Sequence, residues 1–172
     1  MLDKFTDERG VFVKTFQKEA FKVQGLKTEF SEEFNSRSKK NVLRGLHFQL
    51  PPHQQVKVVQ CVSGAVMDVV VDLRVGSPTY RQGEVFQLHQ DKASLVYIPE
   101  GMAHGFYAIT ELAVLCYKVS AVYAPQHDTG ILWSSAGIPW PTSSPILSIK
   151  DQGLPAMKDF NSPFVFNLQS LA

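Results

Sequence analysis

Thiols are scarce in this chain. Only two of its 172 residues are cysteine, Cys61 and Cys116, and both lie in apolar, strand-like runs. Two are too few for a disulfide framework and suit a pair of reduced core thiols. A surplus of charge is missing too: 17 Lys and Arg oppose 16 Asp and Glu, for a net charge of +1. That balance implies no general attraction to nucleic acid or to an anionic membrane, although a local anion site stays compatible with it. No apolar run approaches the roughly 20 residues of a membrane-spanning helix. The first ten residues carry Asp3, Lys4, Asp7, Glu8 and Arg9 where a secretory leader needs an apolar stretch, so a cytoplasmic location is expected. There is no glycine-rich dinucleotide loop, no internal repeat, no low-complexity tract and no linker. The expectation is one domain over 1–172, at 44% hydrophobic and 11% aromatic long enough to bury a core.

What fills the chain is short strands. β-Branched or aromatic runs cover 11–16, 42–48, 56–62, 65–73, 84–89, 94–98, 105–109 and 113–123. One short helix is expected over 17–24, before Gly25. Turns are marked by Ser63-Gly64, Gly76-Ser77-Pro78, Pro99-Glu100-Gly101 and Ala124-Pro125. Many short strands at close spacing predict an all-β sandwich or barrel. The tail from Pro139 has several prolines and weak periodicity; it is expected to wrap the barrel irregularly, with a short helix or turn near 155–160.

Two runs each set a histidine inside apolar sequence: Arg44-Gly45-Leu46-His47-Phe48-Gln49 and Pro99-Glu100-Gly101-Met102-Ala103-His104-Gly105-Phe106. The second has P-x-G-x-x-H spacing and resembles the second cupin motif. The first sits where a cupin carries a metal-binding H-x-H pair and a glutamate, but here the slot reads His47-Phe48-Gln49. A stable divalent site needs three or four converging ligands, so no metal is expected, and proton chemistry on a small molecule is favoured. A metal-dependent cupin enzyme is the alternative. It would draw further ligands from His53, His89, Gln49 or Glu100, which have no recognisable ligand spacing.

Further segments extend the resemblance. Asp7-Glu8-Arg9-Gly10-Val11-Phe12, residues 41–49 and 66–74, Gly76-Ser77-Pro78-Thr79-Tyr80, residues 98–106, Tyr117-Lys118, Tyr123-Ala124-Pro125 and Ile138-Pro139-Trp140-Pro141 run in family order. Together they resemble the nucleotide-sugar epimerases typified by dTDP-4-dehydrorhamnose 3,5-epimerase. The resemblance implies an all-β, cupin-type jelly-roll barrel with short flanking helices, a homodimer, and cofactor-free epimerisation of a 4-keto-6-deoxy sugar nucleotide in deoxysugar biosynthesis. Such a reaction needs a base on one face of the sugar, an acid on the other, and a group that stabilises the enolate oxygen.

Carried over residue by residue, the resemblance implies that His47 is the base at C3 and C5, Asp151 its carboxylate partner and Tyr117 the acid. An imidazole titrates close to working pH. Lys57 would stabilise the enolate oxygen; its parity with Val59 and Cys61 points the same way, because an inward lysine is costly unless used. His104 is expected to line the same pocket and pair with Asp68, Arg44 to face the diphosphate, and Tyr123 to stack on the nucleobase. Gln49 is a further expected substrate contact, and Arg9 and Phe12 would reach the nucleotide across the dimer.

The departures from the family pattern concern the base. A glutamate expected after the R-G-x-F segment is Lys14, and a Q-x-N pair is replaced by Glu32 and Phe34. Lysine offers only donors, whereas cytosine presents acceptors at N3 and O2 and a donor at N4. Lys14 with Glu32 therefore suits CDP in place of dTDP, with GDP or a tolerant base pocket as alternatives. Epimerisation at C3 alone, a non-catalytic sugar-binding barrel and a 3,4-ketoisomerase also stay open.

Overall fold

Alternation of inward and outward side chains builds most of the structure, a computed structural model that describes residues 2–167. Met1 and residues 168–172 of the expected domain lie outside the described residues. The strands are β1 (Asp3–Asp7), β2 (Gly10–Lys14), β3 (Glu32–Lys39), β4 (Leu43–Gln49), β5 (Lys57–Ser63), β6 (Ala65–Asp72), β7 (Gly83–His89), β8 (Val96–Ile98), β9 (Met102–Ala108), β10 (Leu112–Val119) and β11 (Asp128–Gly130). β1 and β2 form a hairpin that pairs with itself; β3-β10-β5-β8 and β11-β4-β9-β6-β7 form the two main sheets. Pairing within the sheets is antiparallel.

The five-stranded sheet is covered on both faces. One cluster, with Leu43, Leu46, Val69, Val71 and Tyr107, packs under Trp133 and under tail residues such as Trp140, Leu147 and Phe160. The other, with Val59, Val66, Phe106, Leu115 and Tyr117, fills the space between the sheets. A strand buried on both faces reads as a continuous apolar run, which is why β6 shows little alternation. The irregular tail is thus the lid of one core layer. It contains α2 (Ile149–Gln152) and a single 3-10 turn at Met157–Asp159, where a short turn was expected.

α1 (Lys18–Val23) lies where a helix was expected, with the Gln17 side chain accepting from Ala20 N at its start. Three strands escaped sequence reading: β1, β3 and β11. β3 carries mostly polar residues, yet it alternates, with Glu32 and Ser36 half-buried and Ser38 buried while Glu33, Asn35, Arg37 and Lys39 face out. The run expected over 113–123 ends at Val119, because both partner strands stop there: Val119 pairs Glu32 on one side and Lys57 on the other. Cys61 and Cys116 are both free. Leu115 is the residue opposite Cys61, so Cys116 points to the other face of the sheet.

β4 and β9 approach unusually closely. Their register breaks between Arg44 and His47. Gly45 has φ +130, and a Cβ there would lie 2.5 Å from the Gly105 Cα. Gly45→Ala is expected to lower stability by about 3 kcal/mol in urea denaturation, from backbone strain plus overpacking. Gly76→Ala, at φ +87 with nothing within 4 Å of its Cβ, should cost only about 1 kcal/mol.

Candidate active site

The break in β4 decides what faces the space between the sheets. Arg44 and His47 are three positions apart, so regular alternation would send them to opposite faces. With the break, both line one cavity of about 250 Å³ together with Lys57, His104 and Tyr117. A second lobe of about 170 Å³ shares His47, Lys57 and Phe34 and adds Glu32, Tyr123 and Asp128. β4 and β9 supply the histidines from one sheet; β5, β10 and β3 supply Lys57, Tyr117 and Phe34 from the other.

His47 Nε2 lies 2.5 Å from Asp151 Oδ1. The carboxylate accepts from Nε2–H, which leaves the Nδ1 lone pair as the basic position. Asp151 is 2% exposed and is the third residue of the four-residue α2. Ser148 caps that helix by accepting from Asp151 N at 3.0 Å, so the cap fixes the residue that fixes the imidazole. Burial works to raise the Asp151 carboxyl, but the bond to His47 and its charge, with help from Ser148 and the Gly45 backbone, hold it below the usual range.

Lys57 is half-buried and donates to the His47 carbonyl at 3.2 Å. Burial pushes its ammonium down to about 8; Asp128 and Asp68 act against that shift and Lys150 adds to it. His104 Nε2 meets Asp68 Oδ2 at 2.8 Å, both side chains being buried. Tyr117 is 7% exposed, with its hydroxyl 3.5 Å from Ser36 Oγ. Burial raises the phenol above its ordinary value, the Ser36 contact opposing, so it stays protonated at neutral pH. Arg44 Nε donates to Ser38 Oγ at 3.0 Å.

The second lobe is held by its own bonds. Tyr123 N donates to Glu32 Oε1 at 3.2 Å, and Tyr123 OH to Asp128 Oδ2 at 3.2 Å. Lys150 pairs with the same Asp128 oxygen, tying α2 to this wall. Gln49 borders the lobe, but its amide is committed to the backbone: Nε2 donates to the carbonyls of His53 and Val122, and Oε1 accepts from Ala124 N. A substrate contact is the expectation for Gln49, and beside that the residue clamps the 122–124 turn.

Arg9, Phe12 and Lys14 are not brought to this cavity by their own chain. They lie on the β1–β2 hairpin, where Arg9 pairs with Asp7 and Phe12 packs on Phe5 at 6.1 Å. None of the three lines either lobe within one chain, and the expectation for Arg9 and Phe12 is a contact across the dimer. Sequence reading missed Asp128, Ser36 and Ser38 as lining or bracing groups. The alternation in β3 was the available signal for the serines, and Ser148-x-x-Asp151 matches a helix-capping pattern that could have marked α2. A larger cavity, about 420 Å³, opens beside Val70, Phe86 and Tyr97 and contains none of the expected site residues. Its Asp72 carboxylate is already bound by Arg74, Ser77 and Thr79.

Two facing sheets closed on an imidazole–carboxylate pair, an ammonium and a protonated phenol define a cupin-type barrel equipped for acid–base chemistry. The family model of dTDP-4-dehydrorhamnose 3,5-epimerase matches residues 1–159. The chain belongs to that family and is an isomerase. It is 44% identical over 150 residues to the dTDP-4-dehydrorhamnose 3,5-epimerase of Shigella flexneri, covering 86% of this chain and 83% of the relative. It is also 44% identical over 149 residues to the dTDP-4-dehydrorhamnose 3-epimerase of Streptomyces niveus, covering 85% and 72%. Among solved structures, the dTDP-6-deoxy-D-glucose-3,5-epimerase of Legionella pneumophila, in complex with dTDP-4-keto-L-rhamnose, superposes with a TM-score of 0.91 at 34% identity, covering 96% of this chain and 92% of that one. No helix among the described residues is long and apolar enough to cross a membrane.

The depressed Asp151 carboxyl makes a signed prediction. Its contribution to stability is present above the ordinary carboxylate value of about 3.9 and is lost as pH falls through the lower folded value. Urea denaturation from pH 6 to pH 3 should therefore show wild type losing more stability than Asp151→Asn.

Proposed function

We propose that this cavity epimerises a 4-keto-6-deoxyhexose carried on dTDP, with His47 as base and Tyr117 as acid, at both C3 and C5. The observation that carries the reading is the division of groups between the walls: His47, held by Asp151 of α2, on the five-stranded sheet, and Tyr117 on the four-stranded sheet. A planar enolate held between them loses its proton to one wall and gains one from the other, which inverts the carbon. The protons balance: one leaves carbon for His47, one leaves Tyr117 for carbon, and solvent resets both groups.

Lys57 is the cation within reach of the developing enolate oxygen, and His104, braced by Asp68, is a second donor. Arg44, held through Nε, has its two terminal nitrogens free for a diphosphate oxygen pair. Tyr123 supplies a flat face for the base. Glu32 offers an acceptor at the second lobe, and thymine N3–H is a donor. Lys14 lines neither lobe in its own chain, so the CDP reading needs Lys14 of a second copy beside Glu32, whereas the dTDP reading needs Glu32 alone. The name of the Streptomyces niveus relative, a 3-epimerase, is the reason to measure each carbon separately.

The subunit is proposed to work as a homodimer. Phe5 and Phe12 are 60% and 62% exposed on a hairpin that pairs only with itself. A lone two-stranded ribbon gains little stability in water, and a second copy would cover it and bring Arg9, Phe12 and Lys14 toward a neighbouring cavity.

Proton exchange in D2O, followed by NMR on dTDP- and CDP-linked 4-keto-6-deoxyglucose, tests the reaction. Deuterium should enter C3 and C5 faster on the dTDP sugar. Label at C3 alone would make the enzyme a mono-epimerase, a faster CDP sugar would restore the Lys14 argument, and no exchange on either would overturn the reading. His47→Asn should lower kcat about 10³-fold while nucleotide binding by calorimetry is retained. Lys57 must be charged to act, so kcat/KM should fall as pH rises through about 8. Lys57→Arg, charged throughout, should lack that alkaline limb.

A further inference from the structure

We infer that Phe34 is the positioning residue for the Tyr117 acid, holding the phenol ring by its face so that its proton is delivered to the inverted side of the enolate. The inference rests on the epimerase reading above. Phe34 stands directly opposite Tyr117 in the β3–β10 register. Their rings stack with centroids 4.8 Å apart and planes 15° apart. Phe34 is 46% exposed and borders both lobes, so its outer face looks into the cavity while its inner face covers the phenol.

Tyr117 needs such a brace. Its hydroxyl has one protein contact among the described residues, Ser36 Oγ at 3.5 Å, at the limit of a hydrogen bond. A phenol lies on a broad torsional well about its ring axis, so a weak contact at the tip does not fix its lean. The His104 ring meets it edge-on at 6.0 Å and 71°, which blocks one direction only. The stack closes the other.

Positioning of the acid is visible in how the enolate partitions. Once His47 has taken the proton, the carbon is reprotonated either from the Tyr117 wall, with inversion, or by return from His47, with retention. In D2O the two routes are separated by NMR as labelled product and labelled, unepimerised substrate. Phe34→Leu, which keeps apolar bulk and removes the flat face, should raise the ratio of retention to inversion about tenfold, with KM changed less than twofold. Phe34→Tyr, which keeps the ring, should restore the wild-type ratio. An equal loss of both routes with a raised KM would make Phe34 a substrate contact and overturn the inference, as would an unchanged ratio.

A second measurement does not depend on the substrate. With 13C-labelled tyrosine, and the Tyr117 signal assigned by its absence in Tyr117→Phe, ring flipping should speed up at least tenfold in Phe34→Leu but not in Phe34→Tyr. Unchanged flipping overturns the brace even if wild type exchanges protons normally. Accelerated flipping in a protein that exchanges none of the tested sugars would overturn the epimerase reading and leave the brace standing.

Discussion

The close approach of β4 to β9 at Gly45 and Gly105 is the constraint on which the site depends. At φ +130, and with the Gly105 backbone 2.5 Å from where a Cβ would be, Gly45 permits a register break that no larger residue could occupy. Without the break, alternation would put Arg44 and His47 on opposite faces of the strand. With it, a guanidinium and an imidazole point into the same cavity, and His47 comes to pair with His104 across the ladder. Local backbone geometry therefore sets which charges meet a ligand.

Around that break the charges form a graded arrangement. Asp151, buried and capped, stays ionised beside His47. Lys57 sits in a place that weakens its own charge, balanced by Asp128 and Asp68. Tyr117, on the facing sheet, keeps its proton because burial disfavours the phenolate. The imidazole and the phenol stand on two facing sheets, and the tail that covers the outer core also delivers Asp151. The lid over the hydrophobic layer and the carboxylate that braces His47 are one segment.

Much of this was legible from residue patterns. β5 reads inward at Lys57, Val59 and Cys61, and the buried valine and cysteine together with the cavity-lining lysine agree with it. The pairs His47–Asp151 and His104–Asp68 join residues that the sequence singles out. β3 was not legible, because serine and glutamate facing a polar cavity give no hydrophobic alternation. Part of what Gln49 does was hidden for a related reason: an amide beside a cavity and an amide clamping a turn look alike in sequence, and only its three backbone bonds reveal the clamp. The hairpin residues Arg9, Phe12 and Lys14 sit apart from the cavity because pairing, which the residues alone do not specify, binds β1 only to β2.

By itself the sequence determined the all-β class and most of the strand runs that supply both core layers, since these follow from side-chain chemistry and short-range period, while its family resemblance singled out His47, Asp151 and Tyr117. The tertiary structure decided which of those groups share a cavity. His47 and Asp151 are 104 positions apart, and Phe34 meets Tyr117, 83 positions further along the chain, only through the β3–β10 register. Such contacts depend on strand pairing and on one break in it, and neither leaves a trace in the propensities of the residues it joins.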